Sequence, residues 1–399
     1  MKYLDKLLQG KKVEWKTLGE ISEIYGGLTG KSKADFENGN SKYVSYKNIF
    51  YNIEVDFEKL ENVAISSSEN QHEVKYGDVL FTGSSEIAEE SGMSSSVTIK
   101  PNAKVYLNSF SFGLRFNSDI EIVPEFSKYL FRSHFMRKAI AKTASGVTRF
   151  NVSKERFKKL QIPIPPLTVQ KEIVRILDKF TELTAELTAE LTARKKQYSY
   201  YREKLLMVND KGLMNNEEVE WKKLGEVAEI GTGSHNTQDA VDNGIYPFYA
   251  RGIKPLKLTS YDFDETAIIT AGDGVGVGKV FHWTVGKYAL HQRAYRIVPN
   301  NTVSSRYIYH YITTTFYDYI VKASVSSSVT SMRKPMFLNF MVSIPSLEEQ
   351  QRIVSILDKF DILTTSISEG LPKEIELRKK QYEYYRNLLL TFPNNNILL

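Results

Sequence analysis

The chain contains VEWKTLGEISEI at Val13–Ile24 and nearly the same sequence, VEWKKLGEVAEI, at Val219–Ile230. These two stretches are identical at 9 of 12 positions. A second sequence, ILDKF, occurs at Ile176–Phe180 and again at Ile356–Phe360. The copies follow the same order in both halves of the chain. They therefore indicate a tandem duplication within the 399 residues.

A third pair of sequences shows where the halves differ. RKKQYSYYR at Arg194–Arg202 matches RKKQYEYYR at Arg378–Arg386 at 8 of 9 positions. The VEW sequence recurs after 206 residues, ILDKF after 180 and RKKQY after 184. The segment between VEW and ILDKF is therefore 26 residues shorter in the second half (206 minus 180). The repeated sequences flank segments that differ between the two halves. This arrangement predicts one scaffold that carries two different recognition regions.

The repeat is circularly arranged. Tyr3–Leu8 (YLDKLL) resembles Tyr201–Leu206 (YREKLL), and both sequences lead into a VEW block. The beginning of the chain thus repeats the end of the first framed helix. We expect the two chain ends to lie close together.

Two long helices are predicted from apolar spacing. Leu167 to about Met207 has apolar residues at three- and four-residue steps, which is typical of one amphipathic helix. The second helix is predicted to begin near Ser346 and to break or kink at Gly370-Leu371-Pro372 before a second piece at Lys373–Leu390, because proline interrupts a helix. The apolar faces of the two predicted helices are related by the repeat. This relationship favours packing of the two helices as an antiparallel pair.

The regions between the scaffold sequences are predicted to fold as two mixed α/β globules. Short β-type runs, such as Ala267–Thr270, alternate there with polar turns. Helical patterns follow, for example over Ser304–Lys322. The predicted fold class is α+β, with two mixed α/β domains joined by two long helices.

Composition and motifs argue against a catalytic centre. The chain has no cysteine, and its six histidines show no metal-ligand spacing. Gly30-Lys31-Ser32 and Gly278-Lys279 resemble the end of a phosphate-binding loop, but neither has the glycine that should stand five positions earlier. No apolar run reaches the roughly 20 residues of a membrane helix. We therefore expect a cytoplasmic protein without its own metal or cofactor.

A recognition surface remains as the functional prediction. The 53 Lys and Arg residues exceed the 47 Asp and Glu residues by 6, an excess that permits a nucleic-acid partner. The candidates share two properties: they lie in predicted loops, and their side chains are of types that contact phosphates or base edges. In the first half they are Lys31, Lys33, Lys47, Asn48, Ser84, Ser85, Arg149, Asn151 and Lys154. In the second half they are Ser234, His235, Asn236, Tyr249, Arg251, Lys254, Lys279, Gln292, Arg293, Arg333 and Lys334.

The repeated sequences resemble the specificity subunits of type I restriction-modification enzymes. The resemblance rests on the circular repeat, the Ile-Pro-x-Leu-x-x-Gln entry to each helix, ILDKF and RKKQY-x-YYR, and it spans the chain. It implies two target recognition domains that each read half of a bipartite DNA site, separated by an antiparallel coiled coil with pseudo-twofold symmetry.

The resemblance also implies partners, cofactors and boundaries. It implies a non-catalytic subunit that binds double-stranded DNA, two methylation subunits and restriction subunits. S-adenosylmethionine, ATP and Mg²⁺ are expected on those partners and not on this chain. The predicted segments are an N-terminal helical segment (1–12), target recognition domain 1 (13–163), a first spacer helix (164–210), target recognition domain 2 (219–343) and a second spacer helix (344–392).

An alternative function stays open at this point. The same repeats suit a coiled-coil scaffold that binds proteins and has no DNA specificity. Such a scaffold would show no salt-sensitive affinity for DNA, because that dependence comes from the release of counterions from phosphates.

Overall fold

The computed structural model describes residues 3–37, 39–207, 219–323 and 331–393. The chain divides into two compact units. Unit 1 comprises Met1–Glu186 with Ile375–Leu399, and unit 2 comprises Leu187–Glu374. Each unit thus contains part of the first long helix and residues from both repeats. Parts of four predicted segments, residues 1–2, 38, 208–210 and 324–330, lie outside the described residues.

Unit 1 contains twelve strands and the beginning of the first long helix. The strands are β1 (Glu14–Thr17), β2 (Ser22–Gly26), β3 (Ser41–Val44), β4 (Glu61–Val63), β5 (Val79–Thr82), β6 (Ser84–Ser85), β7 (Ser94–Ser96), β8 (Val105–Leu107), β9 (Ser111–Phe116), β10 (Ala144–Ser145), β11 (Phe150–Val152) and β12 (Gln161–Ile164) among the described residues. The helices are α1 (Tyr3–Leu8), α2 (Leu18–Ile21), α3 (Tyr46–Tyr51), α4 (Pro124–Leu130), α5 (His134–Ala141), α6 (Lys154–Lys158) and α7 (Leu167–Leu206), which continues into unit 2.

Among the residues of unit 2 that the structure describes, the strands are fewer and on average longer. They are β13 (Glu220–Lys223), β14 (Ala228–Thr232), β15 (Tyr246–Tyr249), β16 (Leu256–Leu258), β17 (Phe263–Ala271), β18 (Phe281–Leu290), β19 (Ala294–Pro299) and β20 (Met341–Ile344). The helices are α8 (Leu224–Val227), α9 (Ser305–Ala323), α10 (Lys334–Leu338), α11 (Leu347–Thr365) and α12 (Gly370–Leu390), of which Ile375–Leu390 belongs to unit 1.

The central strands of the two units follow the same order, although unit 2 joins them to β15 and β16 in one six-stranded sheet whereas in unit 1 β4-β3-β8 is a separate three-stranded sheet. Unit 1 has the order β2-β9-β5-β7, and unit 2 has the corresponding order β14-β19-β17-β18. In both units the next strand pairs in parallel with one neighbour and antiparallel with another: β3 with β8 and β4, and β15 with β18 and β16. The mixed α/β character predicted for both regions is therefore confirmed.

Most of the length difference between the halves lies inside these sheets. The first residue of β3, Ser41, precedes that of β9, Ser111, by 70 residues, whereas Tyr246 of β15 precedes Ala294 of β19 by 48. This interval accounts for 22 of the 26 additional residues (70 minus 48). The insertions lengthen connections and leave the strand order unchanged.

The VEW sequences form a structural joint in each unit. β1 pairs with β12 and β13 pairs with β20, both antiparallel. Leu18 and its counterpart Leu224 are fully buried. A Cβ on Gly225 would approach the Leu338 side chain to 2.8 Å, so the glycine of this motif permits the close contact between α8 and α10.

The entry sequence Ile-Pro-x-Leu-x-x-Gln ties each long helix to its unit. The buried amide of Gln170 accepts a hydrogen bond from the Val123 backbone N–H (3.0 Å) and donates one to the Pro165 carbonyl (2.8 Å). In unit 2, Gln350 does the same with Ser304 (2.7 Å) and Pro345 (2.9 Å). These bonds satisfy backbone groups at the start of α4 and α9. The repeated glutamine is therefore a structural residue.

The predicted helices agree with the structure, including the break in the second helix. α7 is one helix of 40 residues, and Ser346 caps α11 by accepting a hydrogen bond from the Glu349 backbone N–H (3.3 Å). The break or kink expected at residues 370–372 is a break in the structure, where α11 ends at Thr365 and α12 begins at Gly370. Pro372 stands in the first turn of α12, where its missing N–H costs no hydrogen bond.

Helix partners are established separately in each unit. Phe180 of α7 stacks on Tyr385 of α12 in unit 1, and Phe360 of α11 stacks on Tyr201 of α7 in unit 2. The predicted pairing of the two long helices has these contacts in its favour, while a continuous antiparallel coiled coil stays a prediction. In unit 1 the Trp15 indole donates to the Pro393 carbonyl (3.1 Å), so residues near the two chain ends are adjacent as expected.

Candidate nucleic-acid interface

In each unit, the loops at the end of the central sheet are held by the same set of backbone hydrogen bonds, which we call the loop frame. In unit 1 the Gly83 N–H donates to the Phe110 carbonyl (2.8 Å), and the Gly83 carbonyl accepts from the Val152 N–H (2.9 Å). In unit 2 the Gly272 N–H donates to the Arg293 carbonyl (2.8 Å), and the Gly272 carbonyl accepts from Met332 (2.7 Å). These bonds make Phe110 the counterpart of Arg293.

A tight turn continues the equivalence. The Phe110 N–H donates to the Asn108 side-chain oxygen (3.0 Å), and the Arg293 N–H donates to Nδ1 of His291 (2.9 Å). Burial is the main cause that lowers the pKa of His291 and keeps its ring neutral, as an accepting Nδ1 requires. We call Asn108–Ser111 and His291–Ala294 the reading turns. They have one backbone pattern and different side chains.

An arginine pair is assembled beside the reading turn of unit 2. Asp273 accepts a hydrogen bond from Nη1 of Arg251 (3.1 Å) on one oxygen and from Nη1 of Arg293 (2.9 Å) on the other. Burial of the carboxyl opposes its ionisation, but the two arginines outweigh this effect and lower the pKa of Asp273. The Arg251 and Arg293 side chains are 45% and 64% exposed, so the pair faces solvent.

Two side-chain amides adjoin the arginine pair. Gln292, inside the reading turn, donates to the Asn236 side-chain oxygen. His235 is held by Asp262 (3.0 Å) and lies 3.4 Å from Asp239. Its ring therefore orients the loop and is not a freely presented base contact.

Unit 1 presents a cavity where unit 2 presents arginines. The cavity has a volume of about 490 Å³ and is lined by the predicted residues Lys31, Lys33 and Lys47, together with Phe110 of the reading turn. Lys33 and Lys47 are exposed. Lys31 is paired with Glu69 (2.6 Å), and this contact is the main cause that lowers the Glu69 pKa to about 2. Lys33 and Lys47 therefore supply exposed positive charge to this cavity, which the carboxylate of Glu61 also lines.

Four of the predicted DNA contacts are buried, which corrects the expectation that they lie in accessible loops. Asn48 donates to the Asp56 carbonyl (2.8 Å) and accepts from the Asp56 N–H (3.0 Å), so it organises a turn. Ser84 and Ser85 form β6, and Ser84 accepts from Nε of Arg149 (3.0 Å). Tyr249 ends β15 and packs beside His282, with ring centroids 5.0 Å apart. Polar residues here satisfy backbone groups or fill the core.

The remaining predicted residues are mainly exposed but lie in different structures. Lys279 lies over the Tyr317 ring at 5.0 Å, and Lys154 lies 5.9 Å from the Phe112 ring centroid. The exposed residues are Lys33, Lys47, Arg149, Asn151, Lys154, Ser234, Asn236, Arg251, Lys254, Lys279, Gln292, Arg293, Arg333 and Lys334, while His235 is half-buried and the Lys31 side chain is buried in its ion pair with Glu69. Their contact with DNA stays a prediction.

Two residues of this surface were not predicted. Asp273 anchors the arginine pair, and Phe110 is 67% exposed in the reading turn of unit 1. The signal that could have found Asp273 is the pairing of two apolar runs that end in glycine, VLFTG at Val79–Gly83 and IITAG at Ile268–Gly272. That alignment makes Ser84 the counterpart of Asp273. The strand pairings agree, since Ser84 pairs with Asn151 and Asp273 pairs with Ser331.

Within the described residues, no three His, Cys, Asp or Glu side chains are grouped so that they could hold a metal ion. No helix in the described ranges has the length and apolar character needed to cross a membrane.

Comparisons with known proteins agree on one family. A family model described as the type I restriction modification DNA specificity domain matches residues 10–194 and 216–377. The specificity subunit of the type I restriction enzyme EcoR124I/EcoR124II of Escherichia coli is 40% identical over 265 residues, which cover 59% of this chain and 64% of that relative, just under two thirds. The putative specificity subunit S.HindORF215P of Haemophilus influenzae is 32% identical and is aligned over 98% of both chains.

A solved structure gives the same fold. The S subunit of the type I restriction-modification system from M. genitalium matches with a TM-score of 0.54 over 96% of this chain and 98% of that chain. Its sequence identity is 16%, so this likeness supports the fold.

Proposed function

Because the chain belongs to the family of type I restriction-modification DNA specificity domains, we propose that it is the DNA-recognition subunit of such a system. Unit 1 reads one half of a bipartite site in double-stranded DNA, and unit 2 reads the other half. The observation that carries this proposal is the loop frame shared by the two units. One backbone presents different side chains at Phe110 and Arg293, as two readers of different base sequences require.

The composition of the two surfaces supports DNA as the partner. The surface of unit 2 has Arg251 and Arg293 beside the amides of Asn236 and Gln292, which are the residue types that pair with guanine and adenine edges. The exposed lysines at the cavity of unit 1 suit phosphate contacts. We propose that the exposed predicted residues form the two DNA-binding surfaces.

The RKKQY-x-YYR sequences support two docking sites for one kind of partner. Tyr200 is 57% exposed and its counterpart Tyr384 is 64% exposed. Lys195 and Lys379 are exposed as well. Core packing does not explain why these exposed side chains are identical in the two repeats. A partner that is present in two copies does explain it, and we assign these surfaces to two methylation subunits.

The docking proposal has a direct test. We expect Tyr200→Ala or Tyr384→Ala to reduce the number of bound methylation subunits from two to one, measured by native mass spectrometry. Glu383→Ala is the matched control, because position 383 is exposed but corresponds to Ser199 and so differs between the repeats. Retention of both partners by both tyrosine variants contradicts the assignment.

We further propose that this chain has no catalytic activity of its own. Methyl transfer to adenine and DNA cleavage belong to the methylation and restriction subunits, which would bind S-adenosylmethionine, ATP and Mg²⁺. With chromosomal DNA as its target, the complex would work in the cytoplasm. With a net charge of only +6, the chain alone should bind DNA weakly, with partners adding phosphate contacts.

The test of the function is a genome-wide map of methylated adenine in strains with the gene intact and deleted. We expect one bipartite motif, two short half-sites around a fixed gap, to lose its methylation. If the partner genes are expressed and no motif is lost, the chain is a scaffold without DNA specificity. A gel-shift series with and without the methylation subunits tests the weak binding of the lone chain and its salt dependence.

A further inference from the structure

The geometry of the arginine pair in unit 2 suits the recognition of one type of base. Arg251 follows β15 and Arg293 follows β18, yet both guanidinium groups meet on the Asp273 carboxylate. Each arginine uses its Nη1 atom for that contact. Within the part of the chain that the structure describes, Nε and Nη2 of both side chains make no other hydrogen bond. Each arginine therefore keeps a two-donor edge directed away from its anchor.

A two-donor edge of this kind matches guanine. Guanine presents two adjacent acceptors, N7 and O6, in the major groove, and arginine is the common bidentate partner of that pair. A planar guanidinium loses less conformational freedom on binding when it is already held in place. Asp273 holds both groups before DNA arrives.

A phosphate contact explains the arrangement less well. Asp273 offsets one of the two positive charges and would repel an approaching phosphate. A phosphate contact fixes the register of a protein on DNA but carries no sequence information. The neighbouring amides of Asn236 and Gln292 are also base-reading types. The surroundings thus favour a base edge as the target.

The counterpart positions in unit 1 lack this pair. Tyr46 occupies the position of Arg251 and donates to the Ser84 carbonyl (2.8 Å), while Phe110 occupies that of Arg293. The argument for guanine therefore applies to one half-site only.

We propose that Arg251 and Arg293, positioned by Asp273, read guanine in the half-site bound by unit 2. This inference rests on the proposed function. Its test is selection of binding sequences from a randomised duplex pool by the full chain, purified with its methylation subunits. The wild-type motif should contain two guanines in the half-site that responds to changes in unit 2, one for each arginine.

Two arginine variants and a control define the outcome. Arg293→Gln and Arg251→Gln should each relax one position of one half-site, with a loss of discrimination of about 5- to 150-fold. Lys257→Gln removes an exposed charge from β16, outside the predicted DNA contacts, and should leave the motif unchanged. Replacement of either selected guanine by 7-deazaguanine removes the N7 acceptor and should weaken wild-type binding but not binding of the responsible arginine variant.

Asp273→Asn tests the positioning role separately. Loss of the carboxylate charge should lower discrimination at both guanines while raising affinity for unrelated DNA, a gain that a merely misfolded loop would not produce. Thermal melting of the variant checks its folding.

Opposite outcomes are distinguishable. One such outcome is that the arginine variants lose the same affinity for every DNA sequence, while the slope of log affinity against log salt concentration falls by about one. In that case both residues contact phosphates and the inference is wrong. A motif with fewer than two guanines in that half-site also overturns it but leaves the proposed function intact. Failure of the wild-type complex to select any motif contradicts the proposed function itself.

Discussion

Phe180 stacks on Tyr385 with ring centroids 5.2 Å apart and ring planes inclined by 21°. Phe180 ends the first ILDKF sequence, whereas Tyr385 belongs to the second RKKQY-x-YYR sequence. The related pair in unit 2, Phe360 and Tyr201, has a separation of 5.7 Å and an inclination of 24°. Each repeat thus supplies the phenylalanine of one unit and the tyrosine of the other. Because of the circular repeat, each unit contains helix residues from both repeats.

The aromatic pairs should couple energetically. We expect the double-mutant cycle of Phe180→Leu and Tyr385→Leu to give a coupling of about 0.5–1.5 kcal/mol, because stacked rings gain energy beyond the area they bury. The free energy of unfolding in urea is the measurement. Tyr384 is the control partner, since it is exposed and neighbours Tyr385. Additive effects of Phe180→Leu and Tyr385→Leu contradict a stabilising stack.

The entry glutamines should be sensitive to loss of their amides. Gln350→Leu leaves the Ser304 N–H and the Pro345 carbonyl without their partner, and each unsatisfied buried group costs about 1–3 kcal/mol. We expect a loss of at least about 2 kcal/mol in urea unfolding. Gln351→Leu, at the exposed neighbouring position, should change stability by less than about 0.5 kcal/mol. Equal effects of the two substitutions would refute the role assigned to Gln350.

The scaffold could be predicted because its motifs combine identity with periodicity. ILDKF has the same burial in both copies: Leu177 and Leu357 are fully buried, and Phe180 and Phe360 are half-buried. Spacing predicts such stripes but does not say which part of a helix packs in which unit. The division of α7 between Glu186 and Leu187 was therefore not foreseen.

The reading surfaces were less predictable for a different physical reason. Loop composition shows which residues can make polar contacts but not which partners they contact. The Asn48 amide, for example, forms hydrogen bonds with the Asp56 backbone. Asp273 was missed because a carboxylate is not itself a phosphate contact. Its role appears only when two distant loops bring Arg251 and Arg293 to it.

Stability should fall in mild acid because of histidines in unit 2. Burial is the main cause that lowers the pKa values of His282, His291 and His310 from the ordinary value of 6.5. The Nε2 atom of His310 bonds to Asp358 (2.7 Å), but this contact does not outweigh burial. Below about pH 6.5 the unfolded chain binds protons that the folded chain does not, so the free energy of unfolding decreases as pH falls.

The decrease should reach at most about 1.4 kcal/mol per pH unit for each histidine. His310→Gln should reduce this slope between about pH 7 and 5, measured by urea unfolding at several pH values. Gln351→Leu, which removes no titratable group from an exposed position of unit 2, is the control and should leave the slope unchanged. A slope that is the same for wild type and His310→Gln would exclude His310 as a contributor.

The TAEL tract should set the gap between the half-sites. Thr184–Leu187 and Thr188–Leu191 are consecutive TAEL units of α7, and the boundary between the compact units falls within the first of them. Deletion of Thr188–Leu191 removes four residues, which shortens a helix by about 6 Å and rotates its C-terminal part by about 40° about the helix axis. If α7 ran parallel to DNA, this change would equal nearly two base pairs, since base pairs are about 3.4 Å apart.

We therefore expect the deletion to shorten the methylated motif's gap by one or two base pairs while both half-site sequences stay the same. A tilted helix would shorten the gap by less. The measurement is the genome-wide methyladenine map of a strain that carries the deletion. Thr188→Ala is the matched control, because it keeps the helix length and favours helix. An unchanged gap in a deletion strain that still methylates DNA rules out α7 as the ruler.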